Sequence, residues 1–254
     1  MTVFVDVVGR GPNLTLLHGW GMNGGVWNGV RDALAEQFTL HIIDLPGHGR
    51  SHGARVTTRD ALVEAISHAM PEKSHLLGWS LGGHCALALA HRFPARVEKL
   101  VTVCATPRFV SGPNWPQGKK ADVLADFARR LSTNYLATIR NFLALQALHQ
   151  PDMRAVIRQL QEAVGAHGAP SIESLAASLE ILRVSDIRDL IPDIAAPTLV
   201  LQGDHDALTP TASAQWLADH LQDSTYCLIE HAAHAPFLSH RDVFLDHLVA
   251  FLQS

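Results

Sequence analysis

Short apolar runs alternate with amphipathic stretches of helix length along most of the chain, and this alternation limits the fold more than any other feature. It is the pattern of repeated strand–helix–strand units, in which the strands run parallel. Residues 14–17 and 198–201 are almost continuously apolar, as expected for strands buried on both faces of a sheet. We therefore predict an α/β protein with a mostly parallel central sheet flanked by helices.

The alternation stops between Cys104 and Thr198, where helical spacing replaces strand-like runs. Helix-like stretches lie near residues 123–131, 135–148, 153–164 and 172–182, after a turn-rich stretch at 111–118. Elsewhere the predicted strands lie near residues 2–8, 14–17, 40–43, 75–77, 100–104, 198–201 and 225–229, and the predicted helices near 26–37, 58–69, 81–92, 211–221 and 242–252. The sequence thus predicts one domain, with a core of residues 1–106 and 185–254 and a helical insertion over residues 107–184.

The composition fits a single soluble domain. The 254 residues are 47% hydrophobic and 17% charged, which predicts a large buried core. A net charge of −4 gives no overall field favouring nucleic acid or an anionic membrane, and no run approaches the ~18 apolar residues of a membrane span. Three dispersed cysteines fit no disulfide framework, and the first ten residues lack signal-peptide features. We expect a cytoplasmic monomer without nucleic acid or membrane partners.

One five-residue motif indicates chemistry. Gly78-Trp79-Ser80-Leu81-Gly82 lies between the predicted strand at 75–77 and the predicted helix at 81–92. A serine on such a sharp strand-to-helix turn is raised toward solvent, and the helix N-terminus directs unpaired N–H groups at an oxygen that becomes negative. Ser80 is therefore the candidate nucleophile of an acyl-transfer reaction. The alternative is a glycine-rich turn with an incidental hydroxyl.

A serine hydroxyl needs a base, and the base needs an orienting carboxylate. The loop after the strand at 198–201 carries Asp206, and the loop after the strand at 225–229 carries His234. Because the carboxyl ends of parallel strands meet at one edge of a sheet, we predict that Ser80, Asp206 and His234 converge there. Spacing alone leaves other residues of the same segments as alternatives: Asp204, His231 and His240.

The sixteen histidines raise the question of a metal site. His231 and His234 could be ligands, but no carboxylate or cysteine set accompanies them at a suitable spacing, and no HExxH or HxHxDH pattern is present. We expect no metal and no cofactor.

The loop after the strand at 14–17 is predicted to complete an oxyanion hole. It reads His18-Gly19-Trp20-Gly21, and we expect the N–H groups of Trp20 and Leu81 to face the reacting oxygen. The same segment satisfies GxGxxG with Asp44 about twenty residues on, a dinucleotide-binding pattern. That interpretation is weaker because a tryptophan occupies the tight turn and the ordered Ser, Asp and His would have no role.

These segments together resemble the α/β-hydrolase superfamily along essentially the whole chain. The matching segments are His18–Gly21, residues 44–51 (DLPGHGRS), Gly78–Gly82, Gly203–Pro210 and residues 234–237. A nearer resemblance is to the pimeloyl-acyl-carrier-protein methyl ester esterases of biotin synthesis, through residues 20–23, 79–83, 141–146, 179–182 and 232–240. The resemblance favours Asp206 and His234 over their neighbours, implies a serine carboxylesterase without a cofactor, and implies that residues 107–184, the lid segment, cover the site.

The resemblance also assigns roles within the lid segment. It implies that Trp115, Phe142 and Leu145 lie along the acyl chain, with Trp20 and Leu81 also binding substrate. It further implies that an acidic acyl-carrier protein docks on three basic residues: Arg140, Arg154 and Arg158. Nine basic against six acidic residues make this segment +3. Arg154 and Arg158 share a helix face by their spacing, although a solvated face is the simpler interpretation.

Other functions are compatible with the same motifs. They include a general short-chain carboxylesterase, a C–C bond hydrolase, a cofactor-free haloperoxidase, and a slow receptor that holds a small ligand. A complete Ser, Asp and His set argues against an inert receptor, and a serine at the elbow argues against a dehalogenase, which uses aspartate.

Overall fold

The computed structural model describes residues 3–54, 56–150 and 152–254. Seven strands form one sheet in the order β1-β3-β2-β4-β5-β6-β7. They are β1 Val5–Gly9, β2 Asn13–Leu17, β3 Thr39–Ile43, β4 Ser74–Trp79, β5 Val97–Val103, β6 Thr198–Gly203 and β7 Ser224–Ile229. Only the β1–β3 pair is antiparallel among these strands. The mostly parallel sheet is confirmed; the predicted start of the first strand at Thr2 lies outside the described residues.

All of the helices except one, Pro236–Ser239, lie close to where the apolar spacing predicts them. In chain order they are α1 Asn28–Ala35, α2 Arg59–Ala69, α3 Leu81–Arg92, α4 Ala121–Thr133, α5 Tyr135–Gln146, α6 Met153–Ala166, α7 Ile172–Val184, α8 Thr211–His220, α9 Pro236–Ser239 and α10 Arg241–Gln253. The predicted helix at 26–37 begins instead with a 3-10 turn, Gly24–Trp27, which the Asn23 side chain caps. Side-chain caps also begin α6 at Asp152 and α7 at Ser171.

The core lies on both faces of the sheet. Successive strand residues point to opposite faces, so Leu17 and Leu76 join one apolar cluster while their neighbours Leu16 and Leu77 join the other. Every residue of α3 from Leu81 to Ala90 is buried. This explains why that helix, which begins directly after Ser80, is apolar all round.

The lid segment consists of α4 to α7 and is attached at its base. The guanidinium of Arg108 lies 2.9 Å from the carboxylate of Asp186, and the Ile187 N–H donates to the Pro107 carbonyl at 3.0 Å. Helix α6 packs on the 3-10 turn that follows the loop at residues 18–23. The segment therefore lies above the carboxyl edge of the sheet. Among the described residues, no helix is both long and apolar enough to span a membrane.

Candidate active site

Ser80 occupies a sharp turn between β4 and α3. Its backbone has φ 57° and ψ −115°, a conformation that costs about 1–3 kcal/mol in a residue other than glycine. The Ser80 N–H donates to the Val103 carbonyl at 2.9 Å, which ties the turn to β5. The hydroxyl-bearing residue is half-exposed at the carboxyl edge of the sheet, as the motif predicts.

The glycines around Ser80 are required by close backbone packing. A Cβ at Gly78 would lie 2.3 Å from the Gly82 carbonyl oxygen, and a Cβ at Gly82 would lie 2.3 Å from the Leu17 carbonyl oxygen. Real Cβ atoms do not approach backbone this closely. The turn that carries Ser80 can therefore form only with glycine at both positions.

Trp79 links this turn to the histidine loop. Its indole is buried, and the indole N–H donates to the His234 carbonyl oxygen at 2.7 Å. The two rings lie 5.5 Å apart, and the ring of Phe237 packs edge-on against Trp79 at 5.0 Å. The residue before the candidate nucleophile thus positions the candidate base.

Asp206 and His234 form a buried hydrogen-bonded pair. The Oδ2 atom of Asp206 lies 2.8 Å from Nδ1 of His234, and both side chains are at most 1% exposed. Because a carboxylate only accepts, Nδ1 carries the hydrogen and Nε2 presents a lone pair. Burial by itself raises the pKa of the Asp206 carboxyl, but His234 and hydrogen bonds from Thr209 outweigh burial and hold the pKa below its usual range.

The alternative residues lie elsewhere in the same loops. Asp204 Oδ2 lies 4.0 Å from His205 Nε2, and the ring of His205 lies 5.6 Å from that of the exposed His231. The His240 ring contacts the Ser239 hydroxyl at 2.9 Å. The geometry brings Asp206, rather than Asp204, to His234.

The loop at residues 18–23 lies directly beside Ser80. A Cβ at Gly19 would be only 3.3 Å from the Ser80 Cβ, so the backbone before Trp20 passes next to the candidate nucleophile. His18 fixes this loop because its Nε2 accepts from the Leu45 N–H at 2.9 Å and its Nδ1 donates to the Gly19 carbonyl at 2.8 Å. Burial lowers the pKa of His18 to about 4, which keeps the ring neutral for both bonds.

Asp44 holds the same loop from beneath and has no free oxygen for a nucleotide ribose. Its Oδ1 accepts from the Gly24 N–H at 2.6 Å, and its Oδ2 lies 2.7 Å from Arg50 Nε. Its side chain is fully buried; burial alone raises the pKa, but the Arg50 guanidinium outweighs it and lowers the pKa overall. The GxGxxG pattern is therefore part of a loop that supports the candidate oxyanion hole.

An apolar cavity of about 250 Å³ opens next to Ser80 and beneath the lid segment. Trp20 forms part of its wall, with its ring edge-on to Phe127 and Phe142 at 5.4 and 5.0 Å. The Trp20 indole N–H also donates to the Leu175 carbonyl of α7 at 3.0 Å. The remaining lining residues are Phe109, Lys119, Val123, Leu124, Leu145, Leu179, Leu182, Ala207 and Leu208.

Two of the residues expected to bind substrate, Trp115 and Leu81, have side chains outside this cavity. Trp115 does not line the cavity, because its ring is buried edge-on against Trp216 at 5.2 Å and its indole N–H donates to the Arg108 carbonyl. The side chain of Leu81 lines a second cavity of about 140 Å³, beside His48 and α7. Leu81 can therefore contribute only its backbone N–H group to the larger cavity. This N–H group belongs to the first turn of α3 and has no acceptor within the helix.

Several residues near the site were missing from the sequence-based prediction. Gln202 and Thr209 both hydrogen bond to Asp206, and Cys104 Sγ lies within 4.8 Å of ligand atoms of Asp206 and His234. Burial raises the pKa of the Cys104 thiol well above its usual range, so the thiol stays protonated. Of these supporting residues, only Trp79 and Thr209 could have been found from the sequence, because they lie inside the Gly78–Gly82 and Gly203–Pro210 segments.

The predicted docking arginines of α5 and α6 are exposed. Arg129 and Arg130 of the neighbouring α4 both pair with Asp126. By contrast, within residues 3–54, 56–150 and 152–254, no ion pair involves any member of the predicted set: Arg140, Arg154 and Arg158. These three guanidiniums are available to an external carboxylate or phosphate.

The chain belongs to the alpha/beta hydrolase fold family, whose model matches residues 12–241. A protein from Nitrosomonas europaea named pimeloyl-(acyl-carrier protein) methyl ester esterase is 37% identical over 245 residues, which cover 96% of this chain and 97% of that protein. A protein of the same name from Pectobacterium atrosepticum is 42% identical over 242 residues, covering 95% and 94%.

Solved structures share the fold. An esterase from Exiguobacterium antarcticum superposes with a TM-score of 0.87 at 23% identity, covering 99% of this chain and 96% of that one. A bromoperoxidase from Bacillus anthracis gives a TM-score of 0.88 at 21% identity, covering 99% and 95%. These structures carry different chemistries on one architecture, so the likeness concerns the fold alone.

Proposed function

We propose that this protein hydrolyses the methyl ester of pimeloyl-acyl-carrier protein, releasing methanol and the free carboxylate of the carrier-bound chain for biotin synthesis. The chain is a carboxylic ester hydrolase. The observation that carries the finer proposal is that its similarity to esterases of this name spans both core and lid segment, at 37–42% identity in the two relatives described. An apolar cavity beside Ser80 suits an acyl chain, and exposed, unpaired arginines suit an acidic carrier.

In this proposal Ser80 is the nucleophile and His234 the general base. The Nε2 lone pair of His234 takes the Ser80 proton as the hydroxyl oxygen attacks the ester carbonyl. Asp206 holds the imidazole in the tautomer with hydrogen on Nδ1 and stabilises the imidazolium that forms. The tautomer follows from the 2.8 Å contact between Asp206 Oδ2 and Nδ1.

The N–H groups of Trp20 and Leu81 would hold the negative oxygen of the tetrahedral intermediate. The intermediate collapses as His234 returns the proton to the methoxy oxygen, so methanol leaves and an acyl-serine remains. A water molecule then gives a proton to His234 and attacks the acyl carbon. Collapse of this second intermediate regenerates Ser80 and releases the carboxylate product.

In this proposal the lid segment supplies the binding surfaces. The core, residues 1–106 and 185–254, supplies the reacting groups. The acyl chain lies in the cavity against Trp20, Phe142 and Leu145, with the carrier protein over α5 and α6. Arg154 and Arg158 stand one turn apart on α6, as a pair facing one partner surface would. We further propose a cytoplasmic monomer, which fits the three unpaired cysteines.

The test compares kcat/KM for the carrier-bound methyl ester and for p-nitrophenyl butyrate at low and high salt. Wild-type enzyme should prefer the carrier-bound ester, and salt should reduce that preference, because screening weakens charge attraction between protein surfaces. A purified enzyme that shows no preference at any salt concentration would refute the proposed substrate.

Two matched double variants test the docking surface. Arg154→Gln/Arg158→Gln should lower kcat/KM for the carrier-bound ester by about tenfold or more while p-nitrophenyl butyrate turnover changes less than about twofold. Arg129→Gln/Arg130→Gln removes the same charge from α4, where Asp126 already pairs both arginines, and should have little effect. Equal losses in both variants would show a general charge effect and contradict docking on α6.

A further inference from the structure

We propose that the protein has a site for a divalent first-row transition metal, with Zn²⁺ as the probe, formed by Asp204, His205 and His231. Each residue offers one ligand atom, and the three atoms lie within 4.8 Å of one another. The site is separate from the Asp206–His234 pair and is independent of the proposed esterase function.

The donor set suits such a cation. Two imidazole nitrogens and one carboxylate oxygen form a donor set that favours zinc and its first-row neighbours over magnesium or calcium. Tetrahedral zinc with bonds of ~2.0–2.1 Å places its ligand atoms ~3.3 Å apart. The three atoms therefore need to approach by about 1.5 Å or less. Their partial exposure, 38% for the His205 side chain and 26% for Asp204, leaves room for such a rotation.

Two atoms of this cluster are buried without a hydrogen-bond partner in the described residues: Asp204 Oδ1 and His205 Nδ1. A buried polar atom without a partner is unfavourable and rare in native proteins. Both side chains thus keep hydrogen-bonding capacity that no described residue uses. This gives a reason, beyond proximity, for a ligand at this position.

The loops that carry the three residues are held in place by backbone contacts. The His205 N–H donates to the Ala232 carbonyl at 2.9 Å, which joins the acid loop to the histidine loop. The Gln150 side-chain amide donates to the His231 carbonyl at 2.7 Å, and the ring of the lid residue His149 lies 5.9 Å from that of His205. A metal here would cross-link the acid and histidine loops beneath the lid segment.

The spacing of histidines within the histidine loop does not indicate this site, because the other two ligands of His231 lie in the acid loop. Asp204 and His205 follow β6, whereas His231 follows β7, and β6 pairs with β7 in parallel. The pair weighed from sequence, His231 with His234, is separated instead, because His234 binds Asp206.

The test uses tag-free protein freed of metal with a chelator, titrated with Zn²⁺ in a calorimeter. Wild-type protein should bind one zinc ion per chain with a Kd of about 1 µM or below. At free zinc a hundredfold above Kd, Tm should rise by about 5–10 °C. His205→Ala and His231→Ala should each weaken binding by at least about a hundredfold, since even an outer-shell partner is worth about 10–100-fold.

His247→Ala is the matched control, because His247 is an exposed histidine on α10 outside the cluster. It should keep the wild-type Kd and Tm rise. Circular dichroism and the metal-free Tm of each variant verify that the variant is folded. No zinc binding by wild-type protein would overturn the proposal, as would binding that persists unchanged in folded His205→Ala.

Discussion

Replacing Asp206 by asparagine tests the proposed triad most directly, because the hydrogen bonds around this carboxylate fix which way the new amide must face. Oδ1 accepts two backbone N–H groups, from Leu208 at 2.7 Å and Thr209 at 3.0 Å. An amide nitrogen cannot accept, so the oxygen of the new amide must remain here. The NH2 group is then forced to replace Oδ2.

At that position the NH2 group meets donors. Oδ2 accepts from His234 Nδ1 at 2.8 Å and from Gln202 Nε2 at 3.2 Å, and also from the Thr209 hydroxyl. The hydroxyl can turn, but the Gln202 amide cannot reverse without losing its bonds to the Gly203 and Thr209 carbonyls. The Nδ1–H group of His234 then faces the NH2 group, and His234 can avoid this clash only by moving its hydrogen to Nε2. With hydrogen on Nε2, His234 has no lone pair there to take the Ser80 proton.

We therefore expect Asp206→Asn to lower kcat about 10⁴-fold, which corresponds to an activation free energy higher by about 5.5 kcal/mol. This is the effect of holding a triad histidine in the wrong tautomer. KM should change little, because Asp206 does not line the acyl cavity. The Gln202 amide and the substituted amide would then present donors to each other, which should also cost about 1–3 kcal/mol of unfolding free energy. Steady-state kinetics with p-nitrophenyl butyrate and urea unfolding measure the two effects.

Asp204→Asn, assayed with a chelator present, is the comparison and should lower kcat by less than about tenfold. A loss below tenfold in Asp206→Asn, or a larger loss in Asp204→Asn, would refute the assignment of Asp206 as the orienting acid.

Three further outcomes are expected. Ser80→Ala should abolish ester hydrolysis with an unchanged Tm; turnover by the purified variant would remove Ser80 as nucleophile. Trp79→Phe should cost about 1–3 kcal/mol in urea unfolding and lower kcat, because the buried His234 carbonyl loses its donor; unchanged values would contradict this positioning role. Burial lowers the pKa of His48 to about 3, whereas an unfolded histidine titrates near 6.5. The unfolded chain therefore binds the extra proton, and stability falls as pH decreases from about 6.5 to 4. His48→Phe should reduce that fall by about 2–3 kcal/mol between pH 6.5 and 4.5, measured by urea unfolding at each pH.

The fold was largely predictable because its signals are local. Buried parallel strands are short apolar runs, so all seven were located, and α3 begins and ends at the predicted residues, 81 and 92. The antiparallel direction of β1 and the short helix α9 had no such signal. Strand direction depends on which neighbour a strand pairs with, and periodicity within one segment does not contain that information.

The site was predictable to the extent that it depends on where strands end. Asp206 and His234 follow adjacent parallel strands, so their loops had to meet. Trp115 shows the limit of this reasoning, because its burial depends on Trp216, a residue of α8 about a hundred positions later. Side chains of a helical insertion have no sheet edge to fix them, and the resemblance alone placed Trp115 at the acyl chain.

Hydrogen bonds join the lid segment to the loops that carry the proposed reacting groups. These bonds determine which substrates a substitution in the lid segment should affect. The His234 N–H donates to the Gln146 carbonyl at the end of α5, and the Trp20 indole N–H donates to the Leu175 carbonyl of α7. Both the proposed base and the proposed oxyanion loop are thus bonded to lid backbone. A substitution that displaces α5 or α7 should change kcat for small esters as well as carrier-bound ones, because it moves reacting groups. Substitutions at exposed docking arginines should separate the two substrates, and this difference distinguishes loss of docking from loss of geometry.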